Sequence, residues 1–339
     1  MQPRPLYNIP LRMLDRLTRI HPEECLTTIL AAVCFFLIMC GYFMLRPIRE
    51  TMGLDQHIDD LHWLFLGTLT VMIPTSLGFS WLASRLSRRN CITTTFIIVL
   101  ICLAGFTLAL TVFDRVLGPW TGRIFYVWLS VINVLIISAF WVTVVDNHRP
   151  EQGRRLFAFI AVGGTLGAIV GPIITATTIH HLGEPLLLCT AYFCFALTLA
   201  ILRFVLFPAF DRKAYVVADG QAHSRRRIGG SAINGLLHLF TNPRLGLLAL
   251  YIISFTILAS LLYFEQARLI KEALPERTDR TRLFGWMGVG SQTATILLQL
   301  FITSRILTRF GLAPALLALP LLMLFGFFTL TLTPDMLAA

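Results

Sequence analysis

Nine stretches of this sequence are apolar over about 20 residues each, the length that a helix needs to cross ~30 Å of hydrocarbon. Such runs are too long and too evenly apolar for the one-sided helices of a soluble domain. No segment alternates in the manner of a membrane barrel strand. The sequence therefore predicts an all-α polytopic membrane protein. The stretches are 26–45, 61–83, 91–113, 124–145, 156–178, 185–207, 245–265, 284–303 and 313–333.

The basic residues predict the orientation of these helices. The chain is 56% hydrophobic and only 14% charged, yet its net charge is +10. Most of its Lys and Arg fall in alternate loops, and these loops are cytoplasmic if the N-terminus is cytoplasmic. An excess of Lys and Arg is typical of cytoplasmic loops. The charge therefore sets topology, and nucleic acid is not an expected partner.

An Arg-rich stretch, 208–243, separates six predicted helices from three and includes Arg225, Arg226 and Arg227 in succession. This arrangement resembles that of the major facilitator transporters, in which a basic cytoplasmic linker joins two six-helix halves. The predicted organisation is a six-helix N-terminal half (1–207), a basic cytoplasmic linker (208–243) and a partial C-terminal half of three helices (244–339).

Two landmarks support an internal repeat. Ser84-Arg85 recurs as Ser304-Arg305, and Tyr42-Phe43 recurs at 263–264 with nearly the same offset. The repeat implies 12 helices, of which the chain supplies nine. We therefore expect a C-terminally truncated member, or a bundle that an oligomer or a second chain completes.

Two further motifs are candidates for conformational roles. The loop bearing Arg85, Arg88 and Arg89 resembles the basic loop between helices 2 and 3 of facilitator proteins, where it acts as a latch. The alternative is a plain topogenic cluster. Glycines spaced by four share one helix face and allow close backbone approach, either as a sliding contact or as static packing. They are Gly163, Gly167 and Gly171.

Cations near membrane depth are candidates for substrate binding. Arg46 and Arg49 follow the first apolar stretch, and Lys271 follows the seventh at the equivalent repeat position. Guanidinium groups offer a planar fork of donors that suits phosphate or carboxylate. The alternative is a set of ordinary interfacial charges in extracellular loops.

The same residues resemble the nucleotide (ATP/ADP) translocase family and its bacterial relatives. Residues 45–50 (Leu-Arg-Pro-Ile-Arg-Glu) resemble that family's Leu-Arg-Asn-Thr-Lys-Asp element, and Arg49 falls on its functional lysine. Residues 153–157 and 286–288 resemble two further family blocks. Two acidic positions of the family fall here on Ser130 and Val289, which weakens the transfer of nucleotide specificity.

The resemblance implies a secondary transporter that exchanges nucleotides or other anionic metabolites by alternating access in a bacterial inner membrane. Membrane lipids and a small anionic metabolite are then its partners, and no cofactor, metal or enzymatic reaction is expected. Two alternatives stay open. One is a facilitator-type permease for an unrelated solute, and the other is a non-transporting remnant or partner subunit.

Overall fold

The computed structural model describes residues 22–55, 61–112, 114–148, 150–210, 243–303, 320–326 and 328. All regular structure in these ranges is helical, which confirms the predicted all-α polytopic membrane protein. The long helices are α1 (Pro22–Leu54), α2 (Leu61–Arg85), α3 (Arg88–Val112), α4 (Asp114–Asp146), α5 (Pro150–Ile201), α6 (Pro243–Ala273) and α7 (Arg277–Leu297).

Local sequence explains where three of these helices begin. Three begin at a proline, α1 at Pro22, α5 at Pro150 and α6 at Pro243. Proline is favoured there because its fixed φ suits a helix and its missing N–H would have no helical partner anyway. Short π-helical stretches, Leu202–Leu206 and Leu298–Thr303, follow α5 and α7.

Six helices within the described ranges are long and apolar enough to span a membrane. One of them, Leu156–Phe210, contains two predicted spans, 156–178 and 185–207. The predicted span 284–303 corresponds mainly to α7, which begins earlier and is not among the six. The predicted span 313–333 lies largely outside the described residues. The spans are Cys25–Leu54, Leu61–Leu82, Arg89–Val112, Trp120–Asp146, Leu156–Phe210 and Leu245–Ala273.

The chain forms two compact units. The first combines Met1–Val216 with Glu276–Ile296 and so contains α1 to α5 and most of α7. The second combines Val217–Pro275 with Leu297–Ala339 and contains α6. The division into two transporter halves at the linker 208–243 stays a prediction.

The core of the first unit surrounds α1, whose apolar side chains pack against α4 and α5. Phe35 of α1 stacks on Phe140 of α4 with ring centroids 4.9 Å apart and planes within 3°. Phe96 of α3 and Phe195 of α5 are fully buried in the same cluster. The aromatic contacts fix how α1 and α4 face each other, which matters for the charged residues at the end of α1.

The glycine stripe of α5 lies directly on α1. A Cβ atom at Gly163, Gly167 or Gly171 would overlap a backbone carbonyl oxygen of α1. Small residues at such a contact let two helix backbones approach closely, as is common in membranes. The structure thus places these three glycines against α1, and their conformational role stays a prediction.

Helix α5 consists of two arms that meet at Gly183. Gly183 has φ 69° and ψ 172°, a conformation that is essentially restricted to glycine. Pro185, two residues later, lacks the N–H that a continuous helix would use. The break turns the chain at the end of the first arm and leaves Glu184 beside the start of α7.

Candidate functional site

The cations of residues 45–50 lie on a helix, which corrects one prediction. Arg46, Arg49 and Glu50 were expected to follow the first helix, which was predicted to end near residue 45, whereas α1 continues through Pro47 to Leu54. Proline removes one backbone hydrogen bond, but neighbouring helices can support such a site in a membrane protein. Thr51 contributes here, because its hydroxyl donates to the Pro47 carbonyl at 3.0 Å. The helix therefore carries the charges into the bundle.

Arg49 is enclosed between α1 and α4. Its Nη1 donates to the Ser130 hydroxyl at 3.1 Å, and its Nη2 pairs with the Glu50 carboxylate. Its Cζ lies 5.0 Å from the centroid of the Tyr126 ring, a cation–π distance. Only 14% of the Arg49 side chain and 8% of the Glu50 side chain are exposed. Arg49 is thus a nearly buried cation with defined partners.

Arg46 is placed differently, one helical turn before Glu50. Its Nε lies 3.7 Å from Glu50 Oε1, its Cζ lies 5.8 Å from the Phe43 ring, and 45% of its side chain is exposed. Two arginines therefore share one carboxylate. The three groups carry a net positive charge, which favours an anionic ligand at the end of α1.

Lys271 lies in the second unit, in the last turn of α6, and is partly exposed. Arg268 on the same helix pairs with Glu265 at 2.7 Å and approaches Glu272 at 3.9 Å. The participation of Lys271 in one site with Arg49 stays a prediction.

A second charged group was missed by sequence reasoning. Arg277 uses Nε and Nη2 to bind both oxygens of Glu184, at 2.8 and 2.7 Å, and its Nε lies 3.1 Å from Asp55. Arg280 Nη2 binds the other oxygen of Asp55 at 2.5 Å. We call these four residues the arginine–carboxylate network.

The network joins parts of the first unit that are distant in sequence. Asp55 follows the end of α1, Glu184 follows the break in α5, and the two arginines lie in the first turn of α7. Close packing surrounds it, since Thr281 donates to the Thr51 hydroxyl at 2.9 Å and a Cβ on Gly285 would lie 2.9 Å from Ala176 Cβ. The sequence signal was the three-residue spacing of Arg277 and Arg280, which places both on one helix face.

The predicted basic latch lies between α2 and α3. Arg85 ends α2 and is exposed, with its Cζ 5.5 Å from the Trp81 ring. Arg89 in α3 lies 5.3 Å from the Phe207 ring, which belongs to the segment after α5. Arg88 begins α3, but its side chain is outside the described residues. The latch role stays a prediction.

Among the described residues, no three His, Cys, Asp or Glu side chains come together as metal ligands would.

Comparison with known proteins gives one family match and two curated relatives. Residues 108–339 match the family of the TLC ATP/ADP transporter. ADP,ATP carrier protein 1 of Chlamydia muridarum (strain MoPn / Nigg) is 21% identical over an alignment of 347 positions. The alignment covers 90% of this chain and 65% of that protein. The protein of the same name from Chlamydia trachomatis serovar D is 22% identical, with 90% and 66% covered.

The chain thus spans just under two thirds of the length of these curated relatives. No solved structure gives a significant match. Because the family match extends over more than half of the chain, the chain belongs to the TLC ATP/ADP transporter family.

Proposed function

We propose that the chain acts as a secondary transporter of the major facilitator class that exchanges nucleotides, or other phosphorylated anions, by alternating access. The observation that carries the proposal is the family match over residues 108–339. Both curated relatives are named ADP,ATP carriers, so adenine nucleotides are the first substrates to test.

The surroundings of Arg49 support an anionic substrate. Its guanidinium group lies among apolar helices. A charge in such a place is costly in free energy and is usually retained because it serves a function. Ser130 and Tyr126 hold it from α4, so the cation stays in place if Glu50 is exchanged for a substrate phosphate. Arg46 is half exposed and can attract the anion before Arg49 binds it. Lys271 would contribute the corresponding cation from the other predicted half.

Conformational roles follow from the same proposal. Arg85, Arg88 and Arg89 would latch the cytoplasmic end of α2 and α3. Gly163, Gly167 and Gly171 keep α1 and the first arm of α5 in close contact. This contact would let the two helices slide against each other when the predicted halves rock.

A bacterial inner membrane with a cytoplasmic N-terminus is the proposed location. Its support is the excess of Lys and Arg in alternate loops, which in bacteria remain on the cytoplasmic side. Reporter fusions after residue 220 and after residue 58 should then report cytoplasm and periplasm, respectively. The reverse pattern would contradict the proposed orientation.

The decisive experiment is uptake of labelled ATP by cells that express the chain, followed by a chase with unlabelled ADP. Insertion is verified in the same cells by membrane fractionation. Uptake that is rapidly chased out establishes nucleotide exchange. Correct insertion without uptake rejects nucleotides, and a panel of other solutes then tests the permease alternative.

A further inference from the structure

The arginine–carboxylate network is not used by the proposed function, although it concentrates four charges where α1, α5 and α7 meet. Two guanidinium groups and two carboxylates balance in charge there. Such a network of ion pairs can have a purely structural role, in which it holds the helices together. Three observations indicate that it also has the properties of a binding site.

First, the pairing of Arg277 with Glu184 has the geometry of phosphate recognition. Two parallel bonds, of 2.8 and 2.7 Å, run from Nε and Nη2 to the two carboxylate oxygens. Arginine binds two oxygens of a phosphate group in the same forked arrangement. The Glu184 carboxylate therefore occupies the position that a phosphate would take.

Second, there is space beside Arg277. A cleft of about 230 Å³ opens next to it and is lined by Gly183, Glu184 and Thr278, among others. The Arg277 side chain is 37% exposed, so an anion can reach it without unfolding of the helix ends.

Third, Arg280 has a spare donor. Its side chain is only 8% exposed, and its Nε is buried without a hydrogen-bond partner among the described residues. The protein loses much folding stability if the counter-ion of a buried cation leaves without a replacement. If Asp55 moves away, another anion must therefore take its place at Arg280.

We propose that Arg277 and Arg280 form a second phosphate-binding site, which Asp55 and Glu184 occupy in this structure as internal competitors. The proposal rests on the proposed function, since it assigns these arginines to the phosphate groups of the same substrate class. Arg49 binds the anion beside α4, whereas Arg277 and Arg280 bind it at the meeting point of α1, α5 and α7. The carboxylates keep the second site closed until a polyphosphate displaces them.

Competition gives the proposal a distinctive test, because removing a carboxylate should tighten binding. The purified full chain in detergent is titrated with inorganic tripolyphosphate and, separately, with ATP by calorimetry. Glu184→Gln should bind tripolyphosphate about tenfold more tightly than the wild type, and Arg277→Gln about tenfold more weakly. The double variant Glu184→Gln/Arg277→Gln should not bind tripolyphosphate more tightly than the wild type, because the guanidinium group released by Glu184→Gln is then absent.

Two matched variants control for net charge. Asp146→Asn removes an exposed acid at the end of α4, and Arg203→Gln removes an exposed arginine after α5. Neither should change binding by more than about twofold. Glu184→Gln that binds no more tightly than Asp146→Asn would overturn the proposal and leave the network a structural one. Absence of tripolyphosphate binding in every variant would overturn it as well.

A further variant and the two ligands separate the effects of misfolding and of substrate identity from the test of the second site. If Arg277→Gln elutes as an aggregate, Arg277→Lys replaces it, since it keeps the charge and loses only the fork. Tripolyphosphate binding without ATP binding in the wild type would reject nucleotides while the variants still decide the second site. ATP binding that is insensitive to all network variants would overturn the second site alone.

Discussion

Arg49 and Ser130 join α1 to α4 through a hydrogen bond of 3.1 Å between Nη1 and the serine hydroxyl. The same hydroxyl donates its proton to the Tyr126 carbonyl at 2.7 Å, so its oxygen is oriented to accept from Arg49. Ser130 is a neutral partner, so it orients the guanidinium group while Glu50 supplies the counter-charge.

Arg49→Ala is expected to reduce ATP uptake by at least about tenfold, because a charge-assisted bond to phosphate is lost. Uptake is measured per amount of inserted protein. Arg203→Ala, which removes an exposed arginine, should leave uptake unchanged. Uptake by Arg49→Ala at the level of Arg203→Ala would reject Arg49 as a substrate residue.

The buried Glu50 requires a second variant for the same prediction. Without Arg49, the Glu50 carboxylate loses its closest ion pair, and the protein can lose stability. Arg49→Ala/Glu50→Gln removes the carboxylate charge as well. The double variant should insert normally and still fail to transport ATP, which separates substrate binding from folding.

Ser130→Ala is expected to raise the KM for ATP several-fold with little change in the amount of inserted protein. The variant removes the hydrogen bond that orients Arg49 but leaves its charge in place. Ser130→Thr is the matched control, because it keeps the hydroxyl group and should retain a KM near that of the wild type. Equal KM values for the alanine and threonine variants would refute the positioning role of Ser130.

Gly167→Ala should lower the thermal stability of the purified protein by the equivalent of about 1–3 kcal/mol, the usual cost of overpacking. The added methyl group would overlap the Phe36 carbonyl oxygen, and a backbone atom cannot move aside cheaply. Gly105→Ala is the control, since no heavy atom lies within 4 Å of that Cβ. Equal melting temperatures for the two variants would contradict the close contact between α1 and α5.

Gly183→Ala should also destabilise the protein, by about 1–3 kcal/mol, because its φ of 69° and ψ of 172° strain any residue with a side chain. Space is not the cause, as the nearest atom to the added Cβ, Pro185 Cδ, is 3.8 Å away. The melting temperature in detergent is again compared with Gly105→Ala. A Gly183→Ala protein as stable as that control would show that this backbone conformation does not require glycine.

Local patterns were sufficient for the class of fold and for some of its faces. Hydropathy sums over about 20 residues identified seven of the nine predicted membrane spans, because the cost of placing a side chain in lipid depends mainly on that side chain. The spacing of Gly163, Gly167 and Gly171 predicted one close-packed face for a similar reason, since helix geometry fixes which residues share a face. The end of the first span was misjudged at residue 45, because its charges have partners that a local sum does not include.

The partners themselves were decided only by the tertiary structure. Arg49 meets Ser130 across 81 positions of sequence, and Arg277 meets Glu184 across 93. The sequence identified Arg49 as a candidate from its motif, but Asp55, Glu184, Arg277 and Arg280 carried no comparable signal. A buried charge is tolerated only where packing brings a counter-charge or donor to it, and that pairing depends on how the helices assemble.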